Sequence, residues 1–162
     1  MLVLVCGFIG VGKSTVAQRI AKKINGTILR TDLIRYKVYP NPTYTKEEVQ
    51  HVYELFFKEI GKLLQKGKNV VVDATFNWKE NRDRVKKYAK KFKTDFRIVQ
   101  VICNSDEKAK FRIENRNEGV SKTNYKEYLR HKLTFEEISE NKIVIDNTND
   151  LKSTFKQIDK YF

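Results

Sequence analysis

The sequence predicts an α/β protein built on a parallel sheet, and three observations carry that expectation. Short apolar runs alternate with longer stretches of helical periodicity along the chain, the pattern that strand–helix–strand units produce. The first run, Leu2–Cys6, is apolar without alternation, as a strand covered on both faces must be. It enters a glycine-rich turn over residues 7–12 that leads directly into a helical stretch.

The elements follow in order. Lys13–Ile24 is expected as a helix with Val16, Ile20 and Ile24 on one face, ended by Asn25-Gly26. Thr27–Arg30 reads as a short strand, and Thr31–Val38 as a further element that Pro40-Asn41-Pro42 stops. Lys46–Gln65 carries Val49, Val52, Tyr53, Phe56, Phe57, Ile60 and Leu64 on a broad apolar face and closes at Lys66-Gly67-Lys68. Asn69–Asp73 is a buried strand, Val70-Val71-Val72, that ends in an acid. Lys79–Phe92 is expected as a helix, Arg97–Ile102 as a strand and Asp106–Arg116 as a helix. Asn117–Thr123 is a polar loop, Asn124–Asn141 a helix, Ile143–Ile145 a strand and Leu151–Tyr161 a closing helix. No repeat, low-complexity segment or shift of composition divides the chain, so residues 1–162 read as one domain.

Composition narrows the class. Thirty-three Lys and Arg against 20 Asp and Glu give a net charge of +13, while 40% hydrophobic residues exclude a disordered polycation. The apolar start lacks a basic leader and meets glycines at once, so it does not read as a signal peptide. No run approaches the roughly 18–20 apolar residues of a membrane span, and a cytoplasmic protein with no membrane partner is expected. Cys6 and Cys103 are too few for a disulfide framework and stand apart from other metal ligands, so both read as buried thiols. The positive charge favours polyanionic partners, although a lysine-rich proteome would produce the same excess.

The strongest motif is Gly7-Phe8-Ile9-Gly10-Val11-Gly12-Lys13-Ser14-Thr15, which fits G-x-x-x-x-G-K-[ST] between a strand and a helix. Glycines let consecutive N–H groups turn inward around an anion, and the helix that follows adds the positive end of its dipole. The amides of Gly10, Val11 and Gly12 are therefore expected to cradle a nucleoside triphosphate. Lys13 would reach its β- and γ-phosphates, Ser14 would ligate Mg²⁺, and Thr15 would donate to the α-phosphate. No Asp is followed by Gly three residues on, and Asn141-Lys142 lacks the acid of a guanine-reading motif, so a switch GTPase is not expected. A motor ATPase would need a longer chain.

A phosphotransferase remains, and later residues supply its parts. Asp32 and Arg35 fall one helical turn apart after the second strand, as a general base and an anion clamp would. Asp73, at the end of its apolar strand, is placed to hold a Mg²⁺-bound water or to orient Arg35. Arg112 and Arg116, a turn apart before the polar loop, are placed to close over the donor phosphates. The Asp146–Asn149 turn follows the last strand, where backbone can lie against adenine. The helix Lys79–Phe92 carries Arg82, Arg84, Lys86, Lys87, Lys90 and Lys91. Phe76 and Trp78 lie beside it as rings on which an unpaired base could stack, against the plainer alternative of a solvated helix face with Trp78 in the core.

With these residues the chain resembles the small P-loop kinases that include the kinase domain of phage polynucleotide kinase and related AAA-type, zeta-toxin-like phosphotransferases. The shared features are Gly7-x4-Gly12-Lys13-Ser14-Thr15, Asp32-x2-Arg35, Val72-Asp73-Ala74-Thr75-Phe76 and Arg112-x3-Arg116. The resemblance implies a P-loop NTPase three-layer, doubly wound fold, with a five-stranded parallel sheet in the order 2-3-1-4-5. It further implies a short lid at about 116–124 and an acceptor-binding region at about 32–66. It makes Asp32 the general base and Arg35 the holder of the acceptor's phosphate. Asp73 would support that arginine, Thr75 would belong to the substrate side, and Arg116 would contact the donor phosphates. Two departures stand out. Ile9 replaces a proline that many relatives carry, and the lid offers Glu118, Ser121 and Lys122 rather than an acceptor-reading motif. The expected function is ATP- and Mg²⁺-dependent transfer of the γ-phosphoryl to an alcohol, first among them the 5′-hydroxyl of DNA or RNA. A small-metabolite kinase and a non-catalytic ATP-binding protein are the alternatives. Oligomeric state and the choice among nucleotide donors have no signature in the chain.

Overall fold

The computed structural model describes residues 1–115 and 124–162. Five strands form one parallel sheet in the order β2-β3-β1-β4-β5, as the resemblance implies. They are β1 Leu2–Cys6, β2 Gly26–Arg30, β3 Asn69–Asp73, β4 Phe96–Ile102 and β5 Ile143–Asp146. The register sets Asp73 beside Val5 on one flank and Arg30 on the other, so charged strand ends collect at the C-terminal edge of the sheet. In open α/β sheets that edge is where ligands bind.

The helices are α1 Lys13–Lys23, α2 Thr31–Val38, α3 Lys46–Gln65, α4 Lys79–Lys91, α5 Asp106–Glu114, α6 Tyr125–Thr134 and α7 Leu151–Ile158. Period-two alternation divides β1 between the two faces of the sheet. Leu2, Leu4 and Cys6 join Val70, Val72 and the α3–α4 side chains Phe56, Ile60 and Val85 in one core. Val3 and Val5 join Val71, Val99 and Val101 beneath α1 and α7 in the other. Cys6 is fully buried, as expected, and burial pushes its thiol up to about 12. Cys103 is half-buried just beyond β4.

Helix ends follow local chemistry. Thr45 caps α3 by accepting the Glu48 N–H. At its far end Lys68 donates to Leu63 and Gly67 to Leu64, with Gly67 in the left-handed region at φ +67°.

One expected helix is corrected. Asn124–Asn141 is helical only to Thr134, and Phe135 is extended. Arg82, 1% exposed on α4, donates to the carbonyls of Phe76, Asn77, Glu136 and Glu137, and the Glu136 N–H donates to Asn77. The segment after Thr134 spends its carbonyls on that buried cation instead of on a helix, and Ile138 drops into the core. Arg82 therefore does not belong to the basic surface that the sequence suggests.

Candidate active site

The loop between β1 and α1 is shaped by three glycines at positive φ: Gly7 at +142°, Gly10 at +80° and Gly12 at +91°. A Cβ on Gly12 would stand 2.0 Å from the Asn147 amide nitrogen, and one on Gly7 2.3 Å from the Val101 carbonyl. No side chain caps α1, which leaves the N–H groups of its first turn directed at the loop's centre. The Val11 side chain is wholly buried, so Val11 serves the loop through its backbone. Lys13 donates from Nζ to the Phe8 carbonyl at 2.6 Å, lying across the loop.

On the metal side, the Ser14 hydroxyl donates to Asp73 Oδ2 at 2.7 Å. The pair fits a Mg²⁺ ion: a hydroxyl oxygen from the loop and a buried carboxylate at the end of the neighbouring strand are hard oxygen donors of the right kind. Arg30 closes the group, with Nε 3.4 Å from Asp73 and Nη2 3.8 Å from Asp32.

Across the cleft, α2 begins at Thr31, so Asp32 and Arg35 share a face as their spacing predicts. Asp32 keeps its carboxylate partly open, with 37% of the side chain exposed. Arg35 is buried and held from two directions. Its Nε lies 3.0 Å from Glu48 Oε1, and its guanidinium carbon sits 4.5 Å from the centre of the Tyr44 ring. Burial pushes the Glu48 carboxyl up, but the N–H groups of Thr43 and Tyr44, the Thr43 hydroxyl and Arg35 together hold it below the ordinary carboxylate range. Burial also pushes the phenols of Tyr44 and Tyr53 up to about 12.

The far wall comes from α5, α6 and the turn after β5. Arg112 donates to the Asn147 carbonyl at 2.8 Å, and its Nη1 is buried without a hydrogen-bond partner among the described residues. Helix α6 brings Arg130 and His131 to the cleft. Burial, with Lys13 and Arg130 nearby, lowers the His131 pKa, which favours the neutral ring at pH 7. These walls enclose a cleft of about 720 Å³ that reaches from the glycine loop to Asp32, Arg35 and Tyr53.

A family model described as an AAA domain matches residues 2–138, which is most of the chain. The chain belongs to that family. No curated protein matches the chain in sequence. Among solved structures, a sugar kinase from a Janibacter species superposes with a TM-score of 0.73 at 15% identity, covering 99% of this chain and 92% of its own. A gluconokinase from Sinorhizobium meliloti gives 0.66 at 18% identity, covering 98% and 91%. The APS kinase of Mycobacterium tuberculosis, in complex with AMPPNP and APS, gives 0.69 at 14%, covering 98% and 95%. At such identities the likeness is one of fold.

The AAA domain gathers Gly10, Gly12, Lys13, Ser14, Thr15, Asp32, Arg35, Asp73, Thr75 and Arg112 around one cleft. Arg116 and most of the expected lid lie outside the described residues. One implied contact is corrected: Asp73 faces Ser14 and Arg30, and Glu48 takes the place beside Arg35. The stacking pair is corrected as well. Phe76 is fully buried at φ +49°, whereas Trp78 is 51% exposed rather than in the core. Sequence reasoning missed Arg30, Glu48, Tyr44 and His131, and placed Asn147 only in a turn beside adenine, without its bond to the Val11 carbonyl. The Thr45-x2-Glu48 capping pattern was the one signal that could have pointed to Glu48.

Proposed function

We propose that this AAA domain is a kinase that moves the γ-phosphoryl of ATP to the hydroxyl of a small alcohol bearing an anionic group. The reading rests chiefly on one observation: Asp32 and Arg35 line the same cleft as Lys13, Ser14 and Asp73. In this reading the loop amides and Lys13 hold the phosphates, while Arg112 supports the nucleotide side. Ser14 and Asp73 would hold Mg²⁺, which supplies charge neutralisation at the phosphates.

Asp32 takes the proton of the acceptor hydroxyl as that oxygen bonds to the γ-phosphorus. The bond from the γ-phosphorus to the β–γ bridging oxygen breaks, and ADP leaves. Arg35, fixed by Glu48 and Tyr44, presents a planar fork of N–H donors suited to a carboxylate, sulfate or phosphate on the acceptor. A cleft of about 720 Å³ is in the size range of small-molecule sites. The gluconokinase and APS kinase among the similar structures are consistent with a small acceptor.

Transfer to the 5′-hydroxyl of a DNA or RNA strand is the second reading, favoured by the charge of +13. Both are tested by offering γ-labelled ATP and Mg²⁺ with sugar acids and other acidic alcohols, neutral alcohols and 5′-hydroxyl oligonucleotides in parallel. Label on an acidic alcohol, weakened chiefly in KM by Arg35→Ala, is the expected result. Label on oligonucleotide ends alone would overturn the small-acceptor reading, and no transfer to any acceptor would overturn the kinase reading.

A further inference from the structure

The polypeptide after β3 takes a costly route. Phe76 adopts φ +49°, a left-handed conformation that is strained for an aromatic residue, and turns its ring wholly into the core. The same turn sends Trp78, at the start of α4, outward to 51% exposure. The turn is pinned from below by Arg82, a fully buried cation that donates to the Phe76 and Asn77 carbonyls. Glu136 accepts the Lys79 N–H and ties the start of α4 to the segment after α6. An exposed indole on so rigid a mount is a preformed platform.

Beside Trp78 runs an open groove of about 610 Å³ along α4, floored by Arg84, Lys86, Lys87 and Lys90. The Arg84 guanidinium carbon sits 4.1 Å from the centre of the Phe57 ring, and Lys86, Lys87 and Lys90 have no ion-pair partner among the described residues. Of the acids at the rim, Asp83 is engaged by Lys79 at 2.7 Å and Glu136 by the Lys79 backbone, leaving Glu80. No residue of this groove lines the nucleotide cleft.

We propose that the α4 groove binds single-stranded nucleic acid, with a base stacked on Trp78 and the sugar–phosphate chain following Arg84, Lys86, Lys87 and Lys90. A free planar ring beside unpaired cations is the pairing that such strands use, because every base has a stacking face and every linkage a charge. This inference does not rest on the kinase reading, since the strand need not be the acceptor.

Trp78 is the only tryptophan of the chain, so its fluorescence reports the contact directly. Titration with a short oligo(dT) strand, without ATP, is expected to quench Trp78 saturably, with an affinity that falls steeply as salt rises. Inorganic polyphosphate is expected to compete without quenching. Trp78→Ala, followed by anisotropy of a labelled strand, should lose roughly tenfold or more in affinity. The triple change Lys86→Gln, Lys87→Gln, Lys90→Gln should weaken binding and flatten its salt dependence. The variants alter Trp78, Lys87 and Lys90, which are exposed, and Lys86, which is half-buried, and an unchanged melting temperature certifies their fold. Absence of binding, or a Trp78→Ala chain that binds the strand as well as the parent, would overturn the proposal. Equal quenching by polyphosphate would reduce the groove to a site for charge alone.

Discussion

At Gly12 two constraints meet: a left-handed backbone at φ +91°, and the Asn147 amide pressed where a Cβ would stand. Asn147, 3% exposed, donates to the Val11 carbonyl at 2.8 Å and accepts from the Thr154 hydroxyl at 2.8 Å. It thus reaches the phosphate loop, 136 residues away in sequence, and joins it to α7 through Thr154. Asn147→Ala leaves the buried Val11 carbonyl without its donor, while the Thr154 hydroxyl keeps the Asp150 carbonyl, at an expected cost of about 1–3 kcal/mol in stability. Nucleotide affinity should fall with it, because the loop loses its outer brace. Urea unfolding and nucleotide titration check the two effects, and a loop that binds nucleotide undiminished would remove Asn147 from its support. The glycine loop itself was legible because its motif is contiguous. Asn147 was not, because an Asx-rich turn looks the same whether or not its amide reaches a distant carbonyl.

Among the elements, the segment between α2 and α3 acts as a bracket for Arg35. Glu48 Oε2 accepts from the Thr43 N–H at 2.7 Å and the Tyr44 N–H at 3.1 Å, while Oε1 faces the arginine. Because its folded pKa is held below the ordinary value near 4.5, the ionised Glu48 contributes stability above that value. That contribution disappears as pH falls through the lowered value. Glu48→Gln should therefore be less stable than the parent at pH 7, with the gap closing below about pH 4. Melting temperatures of both proteins across that range show it, and a gap that stays constant with pH would contradict the ion pair.

Helix α4 carries a second bracket. Arg82→Met leaves the Phe76, Glu136 and Glu137 carbonyls unmet, while Asn77 keeps the Glu136 N–H, and should cost about 3 kcal/mol, seen as an earlier urea midpoint with Trp78 fluorescence shifted in the native state. A midpoint equal to the parent's would show that the carbonyls find other donors. Strand and helix positions were legible to within a few residues from apolar periodicity, and the exception marks its limit. The tail of the expected helix over residues 124–141 keeps a helical composition, but a buried guanidinium 54 residues upstream claims its backbone. Periodicity carries no trace of such a competitor.

For the molecule as a whole, the parallel sheet places the ends of β1, β2 and β3 at one edge, and the site follows from that geometry. The register alone brings Asp73 beside Arg30, although residue 30 gave no sign of a role in the sequence. Whole-chain charge is less informative than it looks. The excess of +13 is spread over several helices, and along α4 it meets a groove and an exposed indole. The two sites make separable demands, since nucleotide chemistry uses the sheet edge and strand binding uses the flank of α4.

In the proposed reaction Asp32 accepts the acceptor's proton beside the glycine loop, Lys13 and Ser14. That role is tested most directly by single-turnover transfer from γ-labelled ATP in the parent and in Asp32→Asn, with ATP affinity measured on both. Transfer is expected to fall roughly hundredfold or more with ATP affinity nearly unchanged. Transfer at the parent's rate in Asp32→Asn would contradict that role.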